Sequence, residues 1–156
     1  MVLSRQDLPT LDRTRYASAE GLSRGAYVLA DAPKGNPELI LIGTGSEVHL
    51  CLNAYIELTN EGIACRVVSM PSWEIFERQE QSYRDSVLPP EVKARVAVEQ
   101  AATFGWERYV GLEGIVIGMH TFGASAPLQG LLKKFGFTPE KVASKAKQLL
   151  RIYRNA

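Results

Sequence analysis

An α/β fold with five strands is what this sequence predicts, on three observations. From about residue 26 onward, short apolar runs rich in β-branched residues alternate with longer amphipathic segments, the rhythm of strands and the helices that cover them. Four of the five runs are nearly continuous in apolar residues, as expected of parallel strands buried on both faces. The link between the first two runs, Asp31 to Pro37, holds two prolines and a glycine. It is too short for a helical crossover, so the first strand is expected to run antiparallel to the second if the two are adjacent.

The strands are Tyr27-Val28-Leu29, Leu39 to Ile42, Arg66-Val67-Val68, Arg95 to Val98, and Ile115-Val116-Ile117. Ser46 to Asn60 reads as the first long helix, with Val48, Cys51, Leu52, Tyr55, Ile56 and Thr59 on one stripe. Gly62 stands where a helix ends. The last helix opens at Thr138-Pro139-Glu140, with Thr138 as N-cap and Pro139 in the first turn. Its apolar face is Val142, Ala146, Leu149, Leu150 and Tyr153. Between the third and fourth strands, Glu74, Glu77 and Glu80 recur at helical intervals and read as solvated helix surface. Residues 1–25 are polar and turn-rich and form a segment distinct from the domain at 26–156.

A chain of 156 residues with 46% hydrophobic and 22% charged content is long enough for one domain with its own core. Eighteen Lys and Arg against 17 Asp and Glu leave a net charge of +1, with no basic surplus to hold nucleic acid or anionic lipid. No apolar stretch approaches the roughly 20 residues that span a bilayer, and the start of the chain has no secretory pattern. The cytoplasm is the expected location. Cys51 and Cys65 lack the spacing of a zinc site and read as buried thiols.

Ligands of open parallel sheets bind beyond the carboxyl ends of the strands. There, Gly43-Thr44-Gly45-Ser46-Glu47 leads into a helix N-terminus, where Gly45 and Ser46 are candidate anion contacts. The third glycine and the distal acid of a dinucleotide fingerprint are missing, and no Lys-Ser or Lys-Thr completes a Walker pattern. After the fourth strand come Glu99 and Gln100, where a general acid or a subunit contact is conceivable but spacing supplies no second carboxylate or histidine. Ser125 is in no G-x-S-x-G elbow, His120 has no acidic partner nearby in sequence, and His49 sits inside the first long helix.

Six motifs then occur in an order that resembles the transketolases. They are Ser4-Arg5-Gln6-x-Leu8-Pro9, Gly25-x-Tyr27-Val28-Leu29, Thr44-Gly45-Ser46-Glu47-Val48, Tyr83-Arg84-x-Ser86-Val87-Leu88-Pro89, Phe122-Gly123-Ala124-Ser125-Ala126-Pro127, and Phe135-Gly136-Phe137-Thr138-Pro139-Glu140. The resemblance implies a carboxyl-terminal domain, 26–156, in three α/β/α layers around a mixed sheet with four parallel strands and the first antiparallel. Residues 1–25 would end the preceding, pyrimidine-binding domain.

It further implies a parent enzyme that moves a two-carbon ketol unit between sugar phosphates in the pentose phosphate pathway. That enzyme uses thiamine diphosphate and a divalent metal, Mg or Ca, held by two other domains at a homodimer interface. This chain has neither the G-D-G run of the diphosphate site nor the family's catalytic histidines, so alone it is expected to bind no cofactor and to be inactive. One residue carries over: Arg5 matches the arginine that binds the substrate's phosphate, a role suited to a planar guanidinium. Near a free terminus the same side chain is expected to be solvated. An anion- or nucleotide-binding regulatory domain is the alternative. A monomer or weak dimer is expected, with Phe104, Trp106 and Phe122 as contact positions.

Overall fold

A computed structural model describes residues 6–154, so Arg5 lies outside the described residues. The five strands are β1 (Tyr27–Ala30), β2 (Leu39–Gly43), β3 (Cys65–Ser69), β4 (Arg95–Ala102) and β5 (Ile115–Met119). They form one sheet in the order β1-β3-β2-β4-β5. β1 is antiparallel to β3, and every other pairing is parallel. Four parallel strands and an antiparallel first strand are what the sequence predicted.

The helices are α1 (Val48–Asn60), α2 (Trp73–Glu77), α3 (Gln81–Val87), α4 (Glu107–Val110), α5 (Leu128–Phe135) and α6 (Pro139–Arg154). Alternation along the strands divides the core in two. Leu39, Leu41, Cys65, Val67, Val96 and Val98 pack with α1 and α6. Ile40, Ile42, Val68 and Ala97 face the other way, toward Phe76 of α2, Val87 of α3 and Tyr109 of α4. A sheet covered on both faces leaves no polar side to its central strands, which is why they read as unbroken apolar runs.

The first two strands do run in opposite directions, but they are not neighbours, because β3 lies between them. Strands sit roughly 4.8 Å apart, so the link need cross only about 10 Å, well within the reach of seven residues at about 3.4 Å each. Arg66 pins it there. Its guanidinium donates to both oxygens of Asp31 at 2.8 and 2.9 Å, and to the Ser86 and Val87 carbonyls at the end of α3.

The α-helical part of the first long helix begins at Val48, two residues after the expected start at Ser46, and a 3-10 turn over Gly45–Glu47 leads into it. Its buried face is also wider than the predicted stripe. Leu50, Ala54 and Leu58 are buried, whereas Ile56 is exposed. The cause is that α1 packs against both the sheet and α6, so two stripes are covered. The helix stops at Gly62, whose amide donates to Thr59 while that of Ile63 donates to Leu58, closing the last carbonyls. In α6, the Lys141 amide donates to the Thr138 hydroxyl at 3.3 Å, and Val142, Ala146, Leu149 and Leu150 are buried.

Glu74 and Glu77 lie on α2 and Glu80 stands at the N-cap of α3, and the patch is only partly solvated surface. Glu77 accepts from the Tyr109 hydroxyl and from Arg84, both at 2.8 Å, and Ser72 caps α2 by accepting from the Ile75 amide. Both cysteines are buried and free, and burial pushes both thiols up, away from reactive thiolate.

Candidate functional site at the carboxyl ends of the strands

Because β2 leads into α1 on one face and β4 leads into α4 on the other, the loops leaving these adjacent strands part in opposite directions. Such a switch point opens a crevice beyond the sheet. Gly43 ends β2 with no room for a side chain: a Cβ there would lie 2.9 Å from the Cα of Val48. The close approach brings the turn Gly45–Glu47 over the end of β4.

Two carboxyl groups meet in this crevice. Glu47 is 3% exposed. It accepts a hydrogen bond from the Ser46 hydroxyl, and the backbone amide of Gln100 also favours its ionised form. Burial raises its pKa above the ordinary glutamate value, and these two donors oppose the rise. Glu99, half-buried on β4, is pushed up to about 7, first by burial and then by the charge of Glu47. Like charges in a poorly solvated site cannot both ionise cheaply, so near neutral pH Glu99 is poised between holding and releasing a proton. The second carboxylate that spacing along the chain did not supply is therefore Glu47, delivered by the pairing of β2 with β4. Its only trace in the sequence is an acidic residue directly after a glycine turn.

Gly45 and Ser46 sit beside this pair, in different surroundings. Gly45 lines a cavity of about 420 Å³ between the segment Leu8 to Leu22 and the sheet end, with His49, Tyr27 and Ser69 among its walls. Burial pushes the pKa of His49 down, which favours the neutral ring. Ser46 is buried, and its hydroxyl is engaged by Glu47. An anion approaching this helix start would therefore meet a carboxylate, which weakens the attraction of the helix dipole. Ser125 and His120 lie on exposed chain, and Ser125 has no hydrogen-bond partner among the described residues.

Among the described residues, no three His, Cys, Asp or Glu side chains converge as metal ligands. The donor set at the switch point is two carboxyls and a committed hydroxyl. That chemistry does not fit a diphosphate and its metal ion, which need cationic or amide donors together with ligands for the metal. Also among the described residues, no helix is long and apolar enough to cross a membrane.

Comparison with known proteins agrees with the geometry. Residues 25–138 match the family described as "Transketolase-like TK C-terminal domain". The chain is 53% identical over 150 residues to transketolase 1 of Escherichia coli, covering 96% of this chain and 22% of that protein. It is 50% identical over 150 residues to the transketolase of Geobacillus stearothermophilus, with the same coverage of 96% and 22%. Among solved structures, the Pichia stipitis transketolase in complex with sedoheptulose 7-phosphate superposes with a TM-score of 0.84 at 37% identity, over 97% of this chain and 21% of that one. The chain thus spans 22% of the length of these curated relatives.

Proposed function

From the premise that the chain belongs to the transketolase family, through its carboxyl-terminal domain, we propose that it is the assembly domain of a larger thiamine diphosphate-dependent transferase and is silent by itself. The observation that carries this reading is the coverage: one domain's worth of sequence matches nearly end to end, yet it makes up 22% of each relative. In this reading residues 26–156 are the domain and residues 1–25 are the tail of the domain before it. The parent is a cytoplasmic homodimer that passes a two-carbon ketol unit between sugar phosphates. Thiamine diphosphate and a divalent metal, Mg or Ca, belong to its other two domains.

The test is a ketol-transfer assay with thiamine diphosphate, magnesium and a ketose phosphate donor. The isolated chain should give no turnover above blank. The same chain grafted in place of the matching segment of the Escherichia coli relative should restore it. Turnover by the chain alone would overturn the reading.

Arg5 is the one residue assigned a substrate contact, through the phosphate. A hydrogen bond to a charged group contributes about 1.5 to 3 kcal/mol, whereas even millimolar binding needs about 4.1 kcal/mol, so Arg5 cannot hold a sugar phosphate unaided. In the grafted enzyme Arg5→Ala should raise KM for phosphorylated substrates by roughly ten- to a hundredfold. Unphosphorylated acceptors should be indifferent; equal losses for both would show that Arg5 does not read phosphate. The alternative of an anion-binding regulatory domain draws on Gly45 at the cavity wall, and has against it the carboxylate of Glu47. Millimolar phosphate that shifts the amide resonances of Gly45 and Ser46 would favour it.

A further inference from the structure

The cavity of about 420 Å³ beside Gly45 is walled mainly by apolar side chains, among them Leu8, Leu22, Tyr27 and Val48. Its outer wall is fixed in place. The Ala17 amide donates to the Leu29 carbonyl of β1 at 3.0 Å, and Leu11 and Tyr16 pack against the core. Gly21 lies so close to Tyr27 that a Cβ there would come within 2.3 Å of its ring. The volume falls in the range of about 300 to 1,000 Å³ typical of small-molecule sites, so the space is preformed and large enough for a ligand.

Three polar side chains interrupt this apolar wall. Ser69, at the end of β3, is 8% exposed, yet its hydroxyl has no hydrogen-bond partner among the described residues. A hydroxyl so buried is costly to leave unpaired, and the cavity it lines is where a partner can stand. Burial favours the neutral ring of His49, which offers one donor and one acceptor. Arg13 is exposed and also lines the cavity. One of its nitrogens donates to the Ala17 carbonyl at 2.6 Å, the neighbouring Asp12 accepts from Thr14 instead, and among the described residues no carboxylate pairs with the guanidinium. Glu47 and Glu99 are not part of the wall. We propose that this cavity binds a small aromatic carboxylate carrying a hydrogen-bond donor on its ring, with the ring against the apolar wall, the donor on the Ser69 hydroxyl and the carboxylate on Arg13. Tyr27 in the wall favours an aromatic body over an aliphatic one. Inorganic phosphate would leave the apolar wall uncovered, and an uncharged ring would leave Arg13 unpaired. The walls come from residues 8–71 of this chain, so the site stands independently of the assembly reading.

The test is calorimetric titration of the 156-residue chain with indole-3-acetate, followed in parallel by amide resonances. A Kd of about 1 mM or below is expected, with shifts at Gly45, His49 and Ser69. Arg13→Gln should weaken binding by about tenfold or more, and Ser69→Ala by about fivefold. Two comparison ligands assign each contact. Indole-3-acetamide, which carries no charge, should bind the parent chain and Arg13→Gln equally. 1-Naphthaleneacetate, which lacks the ring N–H, should bind the parent chain and Ser69→Ala equally. Arg13 is exposed, so its comparison stands even where Ser69→Ala fails to fold. Absence of binding in the millimolar range would overturn the proposal, as would an affinity indifferent to Arg13→Gln or shifts confined to residues away from the cavity. Inorganic phosphate that shifts Gly45 as strongly as indole-3-acetate does would overturn it in favour of a simple anion site.

Discussion

The two ends of the sheet hold buried charge in opposite ways. At the amino ends of the strands, Arg66 and Arg95 are partnered throughout. Arg95 donates to the carbonyls of Leu88, Pro89, Val92 and Tyr109 at 2.7 to 3.2 Å, and Arg66 joins Asp31 to the end of α3. These guanidiniums meet the carbonyl-rich termini of helices, where a positive charge is favoured. At the carboxyl ends, the charge of Glu47 acts on the half-buried Glu99, and among the described residues no Lys or Arg hydrogen-bonds to either. The amino end is complete within this chain. The carboxyl end keeps two partly or fully buried carboxyls with no cationic partner among the described residues, beside the exposed rings of Phe104 and Phe122.

The contrast can be broken most severely from the amino end. Arg95→Ala strands four carbonyls and should lower stability by about 3 kcal/mol, read as a fall in the urea midpoint without a change of slope. At the other end the sign reverses. Folding raises Glu99 to about 7, so the folded chain binds more protons than the unfolded one between the ordinary glutamate value and that pH. Stability from this group is therefore lost as pH rises through the window. Glu99→Gln should stabilise the chain at pH 8 by on the order of 1 to 2 kcal/mol after allowance for solvent screening. That gain should vanish by pH 4.5. Thermal unfolding of both proteins across pH 4.5 to 8 measures it, and a gain independent of pH would contradict the assignment.

Ser46→Ala removes the hydroxyl that favours the ionised form of Glu47. The expected loss is about 1 kcal/mol, larger at pH 8 than at pH 5 in the same thermal series. The smallest effect belongs to Asp31→Asn. The Asp31 side chain is 51% exposed, and an ion pair so open to water contributes about 0.5 kcal/mol. A urea midpoint shifted much further would mean that the link between β1 and β2 is held mainly by this contact.

How much of this was legible in the sequence depended on whether local chemistry or topology was in question. All five strands, the N-cap at Thr138, the stop at Gly62 and the buried thiols follow from patterns within a few residues, and the structure has them. The position of β1 beside β3 was not legible, because a short link fixes direction and not adjacency. Nor was the wide buried face of α1, which exists only because α6 packs on it from the far end of the chain. The carboxyl pair was out of reach for the same reason. Glu47 follows β2 and Glu99 ends β4, and only the strand order places them together. Phe104, Trp106 and Phe122 were indistinguishable from sequence as contact candidates; the structure leaves the first and last exposed and buries Trp106.

The difference between the two ends is tested most directly by following the side-chain carboxyl carbons of Glu47 and Glu99 in the isolated chain by carbon-13 NMR from pH 4 to 9. Glu99 should titrate near pH 7, with a response at Glu47 in the same range because the two charges interact. If both carboxyls titrate together in the ordinary range near pH 4.5, the carboxyl end is as well compensated as the amino end, and the contrast between the two ends fails.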